Sequence, residues 1–161
     1  MSVEILMSCM YQKDFSIVEK SNIQSDAIII NQSNVDKIEI KEYDFGTVKM
    51  ISTTERGLSR SRNMALKYSK ADFCIICDDD EVLTDNYVEM VEEAYNETNA
   101  DVIVFNIKSM NTNSRPQEKL FKKITKVNKY KSYSSVHVTF RRKIVNDNAL
   151  SFNSYFGSGS G

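Results

Sequence analysis

Ala71-Asp72-Phe73-Cys74-Ile75-Ile76-Cys77-Asp78-Asp79-Asp80-Glu81 joins an unbroken apolar run to four consecutive carboxylates. The run from Phe73 to Cys77 has the length and composition of a strand covered on both faces. Four like charges at its end repel, and raise one another's pKa, unless a cation offsets them. Hard divalent cations such as Mg²⁺ take carboxylate and phosphate oxygens, usually with only one or two protein carboxylates. Ligands of open α/β sheets bind at the carboxyl ends of the strands. The stretch therefore points to a metal site that holds a phosphorylated substrate. The competing reading is a solvated acidic turn that caps the next helix, because Asp and Glu favour helix N-termini.

On either side of this stretch, strand-like and helix-like segments alternate. Val3–Met10 reads as a first strand, and Asp14 as the N-cap of a short helix ending near Lys20. Asp26–Gln32 is apolar until its two terminal amides and reads as a second strand, with Thr47–Ser52 as a third. Leu58 to about Lys70 has helical periodicity, Ala71–Cys77 is the fourth strand, and Thr84 or Asp85 caps a further helix. Asp101–Asn106 is expected as a fifth strand. Val136–Ile144 is expected as the last, turning polar at Arg141-Arg142-Lys143. This alternation predicts an α/β fold with a mostly parallel central sheet flanked by helices and right-handed crossovers.

The chain has 161 residues, enough for one domain with a real core, and its 41% hydrophobic and 27% charged content suits a globular protein. A net charge of -1 argues against nucleic acid as partner. No apolar stretch is long enough to cross a bilayer, and the N-terminus lacks a signal-peptide pattern, so the expected location is the cytoplasm or the cytoplasmic face of a membrane. Cys74 and Cys77 are spaced like a metal or redox pair. Inside a strand that spacing sends them to opposite faces, so they and Cys9 read as buried small hydrophobes.

Residues 108–135 differ in character. They carry Arg115, Lys119, Lys122, Lys123, Lys126, Lys129 and Lys131, together with the only proline, Pro116. The run reads as a solvated face, with peripheral membrane contact through residues 115–131 as the alternative. Lys126-Val127-Asn128-Lys129-Tyr130 hints at a strand. His137, the only histidine, reads as a strand residue, with metal ligation as the alternative.

Neither GxxxxGK[ST] nor GxGxxG is present, so a glycine cradle for phosphate is not expected. What is present is Glu55-Arg56-Gly57-Leu58-Ser59-Arg60-Ser61-Arg62-Asn63, followed by Ala65, Ala71-Asp72-Phe73 and the strand into Asp78-Asp79-Asp80. Asn31-Gln32, Asp101–Phe105 and Phe152-Asn153-x-x-Phe156-Gly157 accompany it. This ordered set resembles the family 2 glycosyltransferases of the GT-A fold, over nearly the whole chain. The resemblance implies a Rossmann-like nucleotide-diphospho-sugar transferase fold. Residues 1–107 would be the nucleotide-binding part and residues 108–161 the start of an incomplete acceptor-side part.

The resemblance also implies a reaction and a set of roles. A hexosyl group would pass from a UDP- or GDP-type donor to a glycan or lipid-linked acceptor hydroxyl with inversion, in bacterial polysaccharide or glycan biosynthesis. Ser8, Cys9, Met10 and Tyr11 would wall the base and ribose, and Asn31 or Gln32 would meet the base edge. Glu55, Arg56 and Gly57 would sit beside the nucleoside. Arg62 and Asn63 would face the nucleotide or the loop that holds it. Asp78 would contact the ribose or sugar, Asp80 would ligate Mg²⁺ or Mn²⁺, and Asp79 could do either, with Asp78 also counted as a metal ligand. The family's acidic base follows the glycine-rich turn. No such residue precedes Gly161, and Asp147 lies upstream of that turn. The expectation is a truncated donor-binding half with little transfer of its own. A magnesium-dependent nucleotidyltransferase is the runner-up, although Cys9–Lys13 lacks that class's glycine-rich loop. A receiver-like regulatory domain is third, although the first strand ends without an acid.

Overall fold

A computed structural model of the chain describes residues 1–106, 126, 138–155 and 157. Lys126 is exposed, and the rest of the basic stretch, the strand hinted at residues 127–130, Val136, His137 and Phe156 lie outside the described residues. The elements run β1 (Val3–Met10), α1 (Ser16–Lys20), β2 (Asp26–Gln32), β3 (Lys37–Tyr43), β4 (Gly46–Thr53), α2 (Leu58–Tyr68), β5 (Phe73–Asp78), α3 (Tyr87–Glu97), β6 (Val102–Val104), β7 (Val138–Arg141) and α4 (Arg142–Asp147).

Among the described residues seven strands form one sheet in the order β3-β4-β2-β1-β5-β7-β6. Its centre, β4-β2-β1-β5, is parallel, whereas β3 and β7 pair antiparallel to their neighbours. The continuous apolar runs of β1, β2 and β5 are explained by burial from both sides. Ile5, Met7, Ile29 and Phe73 pack on one face with Ile17 of α1 and Val91 of α3. Leu6, Ile30, Cys74 and Ile76 pack on the other with Ala65 of α2. Cys74 and Cys77 are therefore on opposite faces, as strand alternation requires, and all three cysteines are buried and free.

Several expected boundaries move, each for a local reason. Lys37-Ile38-Glu39-Ile40-Lys41-Glu42-Tyr43 forms a strand that the apolar-run reading passes over. It is the edge of the sheet, mostly exposed, so only its alternation marks it. The α1 cap position is Phe15, one residue beyond Asp14, yet the Asp14 carboxylate accepts the Ser16 N–H at 2.9 Å and does the capping work. Neither Thr84 nor Asp85 caps α3: its N-cap is Asn86, and the Asp85 carboxylate accepts the Asn22 amide instead. The fifth strand shrinks to Val102–Val104 and pairs with β7 rather than β5. The last strand ends at Arg141, and Arg142–Asp147 is helical. Arg141 donates to the Ala100 and Tyr95 carbonyls and lies over the stacked Phe73 and Tyr95 rings.

Gly46 opens β4 with φ +146, and a Cβ there would collide with Asp26 Oδ1, which accepts the Thr47 N–H at 2.8 Å. Glu4 is the one buried carboxylate within β1, with Oε2 accepting the Lys70 N–H at 3.3 Å. Desolvation holds its pKa above the ordinary 4.5. Its contribution to stability is therefore full below pH 4.5 and lost as pH rises through the elevated folded value. Glu4→Gln keeps an acceptor for Lys70 and removes the buried charge. Thermal unfolding should show the variant more stable than wild type at pH 7, with the gap closing toward pH 4.5. Parallel pH profiles for the two proteins would contradict this.

Candidate functional site

The parallel register brings four strand ends into line. Ser8 pairs with Asp78, Cys9 with Asn31, Met10 with Gln32, and Gln32 with Thr53. The carboxyl ends of β1, β2 and β5 thus face the loop before α2 across a cleft of about 340 Å³. It is lined by Ser8, Cys9, Met10, Gln32, Arg56, Gly57, Leu58, Asp78, Asp79 and Asp80. A groove of about 400 Å³ beside β3, lined in part by Ile38, Met64 and Tyr68, is larger. Its single carboxylate, Asp36, is bonded to Thr54, so it offers no comparable set of groups for a charged ligand.

Each wall is held by a specific contact. Ser61 of α2 donates to Ser8 Oγ at 2.8 Å, which leaves the Ser8 hydroxyl proton to be given elsewhere. Gln32 Oε1 accepts the Gly57 N–H at 2.8 Å. That bond fixes the amide's orientation, so its NH₂ group is the part left for the cleft. Gly57 has φ +115, a conformation costly for any residue with a Cβ, and it starts α2. Gly57 and Leu58 line the cleft, so α2 starts there with the positive end of its dipole at the cleft wall. Replacing Gly57 by alanine should cost about 1–3 kcal/mol of stability, measurable by urea unfolding. An unchanged midpoint would show that the backbone relaxes without strain.

Asn31 is placed differently from its expected role. It is buried, with its carbonyl oxygen accepting the Gln12 N–H and its amide donating to Gln12 O and Ser52 Oγ. It shapes the Tyr11–Gln12 turn and does not line the cleft. Tyr11 has φ +54, is exposed, and has the Arg56 guanidinium 5.8 Å from its ring centroid. Arg56 donates to the Thr53 and Ser33 carbonyls and to Asn34, tying two loops together at the cleft's edge. Glu55 is exposed beside it and outside the cleft lining.

The carboxylates divide by environment. Arg62, buried in α2, donates to both Asp78 oxygens at 3.1 and 3.4 Å. The Asp78 N–H donates to Glu81 Oε2 at 2.9 Å, so Asp78 is held at side chain and backbone. Burial pushes the Glu81 carboxyl above its ordinary pKa. Asp79 is half-buried and Asp80 exposed on the cleft wall. Burial also pushes the Cys9 thiol up to about 12, so at neutral pH it is a neutral wall residue rather than a thiolate. Among the described residues no three His, Cys, Asp or Glu side chains gather around one metal position. The donor set at Asp79 and Asp80 suits Mg²⁺ or Mn²⁺, which take one or two carboxylates and complete their shell with phosphate and water.

Arg62 and Asn63 do not line the cleft. Asn63 clamps the backbone of Phe152, and Arg62 bridges Phe152 and Asp78. Leu58, Ser61 and Glu81 shape the site without having been singled out from the sequence. Leu58 and Ser61 stand inside the quoted Glu55–Asn63 stretch, and Glu81 is the fourth acid of the cluster.

Comparison with known proteins gives a consistent picture. The profile described as Glycosyl transferase family 2 matches residues 23–156. No curated protein matches the chain. The crystal structure of S. aureus TarS 1-349 superposes with a TM-score of 0.74 at 17% identity, covering 99% of this chain and 52% of that one. The same protein in complex with UDP-GlcNAc gives 0.69 at 17% identity, over 95% and 49%. Its complex with UDP gives 0.71 at 16% identity, over 99% and 52%. The chain thus spans about half the length of these structures, and the architecture it shares with them is the expected GT-A fold.

Proposed function

This chain belongs to glycosyl transferase family 2, and on that premise we propose that its cleft binds the nucleotide-diphospho-sugar donor of an inverting glycosyltransferase. The observation that carries the reading is the meeting of Asp79 and Asp80, the first turn of α2 and the ends of β1 and β2 around one cleft. A diphosphate needs positive partners. The helix start supplies backbone N–H groups and a dipole, and the carboxylates would hold Mg²⁺ or Mn²⁺. A bound cation would offset negative charge on the departing nucleoside diphosphate.

In this reading the base and ribose lie against Ser8, Cys9, Met10 and Tyr11, with the Gln32 NH₂ group donating to an acceptor on the base. Asp78, oriented by Arg62, meets a ribose or sugar hydroxyl, and Asp80 holds the cation with help from Asp79. The acceptor hydroxyl attacks the anomeric carbon opposite the diphosphate. A C–O bond forms as the bond to phosphate oxygen breaks, so the configuration inverts. A carboxylate would take the hydroxyl proton, and no described residue is assigned that task. UDP is the favoured nucleotide because structural neighbours are TarS complexes with UDP and UDP-GlcNAc. A glycan or lipid-linked acceptor in polysaccharide assembly follows from the same reading.

Calorimetric titration of UDP, GDP, CDP and ADP, with and without Mn²⁺, tests this. Mn²⁺-dependent binding of UDP or GDP is expected. Binding of none of the four, with or without metal, would contradict it.

A further inference from the structure

Phe152 lies 89 residues along the chain from Asn63, yet the Asn63 side chain grips its backbone at both polar atoms. Asn63 Nδ2 donates to Phe152 O at 2.8 Å, and the Phe152 N–H donates to Asn63 Oδ1 at 2.8 Å. Such a pair fixes both the position and the direction of the backbone it holds. The Phe152 ring then lies 5.7 Å from the Arg62 guanidinium. The Arg62 side chain is 7% exposed, and its Nε is buried without a hydrogen-bond partner among the described residues. Its ionic partner among the described residues is Asp78 on the cleft wall. Five residues on, a Cβ at Gly157 would stand 3.0 Å from Ser59 Oγ and 3.8 Å from the Leu58 side chain. The segment therefore follows α2 from Asn63 back by one turn toward Leu58, which lines the cleft.

We propose that Phe152, clamped by Asn63, is a positioning residue for the nucleoside diphosphate site, because it orients Arg62 and through Arg62 the Asp78 carboxylate. This rests on the reading of the cleft as the donor site. Arginine has a long, rotamer-rich side chain, and one ion pair to a partly exposed carboxylate leaves it room to swing. The aromatic face removes that freedom. It excludes water from one side of the guanidinium and attracts its charge without competing for the N–H groups that Asp78 accepts. Asp78 thereby keeps one orientation, with its backbone N–H held by Glu81. Asn63 and Phe152 touch no ligand in this scheme and act only through Arg62.

The test uses the full chain and Phe152→Leu, Phe152→Tyr, Asn63→Ala, Arg62→Met and the Arg62→Met/Phe152→Leu double variant. Leucine keeps the apolar packing and removes the aromatic face, so the fold is retained. Proton–nitrogen NMR without ligand should show the Arg62 Nε–H and the Asp78 backbone amide shifted in Phe152→Leu and Asn63→Ala, and restored in Phe152→Tyr. UDP affinity with Mn²⁺ should fall about tenfold in Phe152→Leu, and by less than about twofold when the same change is made on Arg62→Met, as coupled neighbours require. Unmoved Arg62 and Asp78 resonances would overturn the proposal. So would an equal loss of affinity in both backgrounds, which marks general loosening. If the wild type binds no nucleotide while the resonances shift as stated, the relay stands and the donor reading fails.

Discussion

Asp80→Ala is expected to remove the Mn²⁺-dependent part of UDP or GDP binding, a loss on the order of 100-fold or more in affinity. Outer partners of metal ligands alone are commonly worth about 10–100-fold. Asp80 is exposed on the cleft wall, and among the described residues its carboxylate accepts no hydrogen bond. Nothing in the fold depends on it, so its stability cost should stay within about 0.5 kcal/mol. The combination of lost metal-dependent binding and an unchanged unfolding midpoint identifies a ligand to the cation rather than a structural group. Calorimetry beside a thermal scan on the same sample measures both. Retained Mn²⁺ dependence in the variant would move the cation site off Asp80.

Two residues earlier, alanine should cost stability as well. Asp78→Ala removes the carboxylate that Arg62 donates to and leaves a guanidinium with 7% side-chain exposure uncompensated. Deleting one partner of a fully buried pair costs about 3–5 kcal/mol, and the 30% exposure of the Asp78 side chain brings that down to about 1–3 kcal/mol. For a chain of this size that is a fall in Tm of roughly 5 °C. The Arg62→Met/Asp78→Ala double variant should recover most of that loss, since no charge is then stranded. Differential scanning calorimetry of the two single variants and the double one decides it. A Tm for Asp78→Ala equal to wild type would mean that water reaches Arg62 as easily as Asp78 does. With the predicted loss, two acids of one cluster differ in kind: Asp78 serves the fold through Arg62 as well as the donor, and Asp80 serves the ligand alone.

That division was not visible in Asp78-Asp79-Asp80 as letters. A run of three carboxylates carries no mark of which one an arginine sixteen residues upstream will claim. The strand ahead of it was legible, because burial on both faces demands the continuous apolar run that Phe73–Cys77 shows. The same is true of β1 and β2 and of the opposite-facing Cys74 and Cys77. Where the sheet meets solvent the signal weakened. Lys37–Tyr43 alternates, but its charges disguise an edge strand as a loop. Asp101–Asn106 reads as a fifth strand, but the position of Val102–Val104 beside β7 is set by tertiary pairing that no local pattern encodes.

The cleft was legible for a different reason. Residues at strand ends and at the start of α2 reach it through the topology of a parallel sheet, which the order of elements predicts. Ser8, Cys9, Met10, Gln32, Arg56, Gly57 and the three aspartates come together on that account. The resemblance gives Asn31 as an alternative to Gln32 at the base edge, and sets Arg62 and Asn63 facing the nucleotide or the loop that holds it. Their side chains instead satisfy buried backbone and charge: Gln12 for Asn31, Asp78 for Arg62, Phe152 for Asn63. Single-residue steps along a strand or helix change the face, and the partner waiting on the other face lies far away in sequence.

The central claim is that a nucleoside diphosphate sits across these strand ends. A crystal structure of the chain grown with UDP and Mn²⁺ examines it most directly. The account predicts the cation on Asp80, the diphosphate at the first turn of α2, and uracil against the ends of β1 and β2 beside Tyr11 and Gln32. UDP lodged elsewhere, for instance in the groove between Ile38 and Tyr68, or Mn²⁺ bound away from the aspartates, would contradict it.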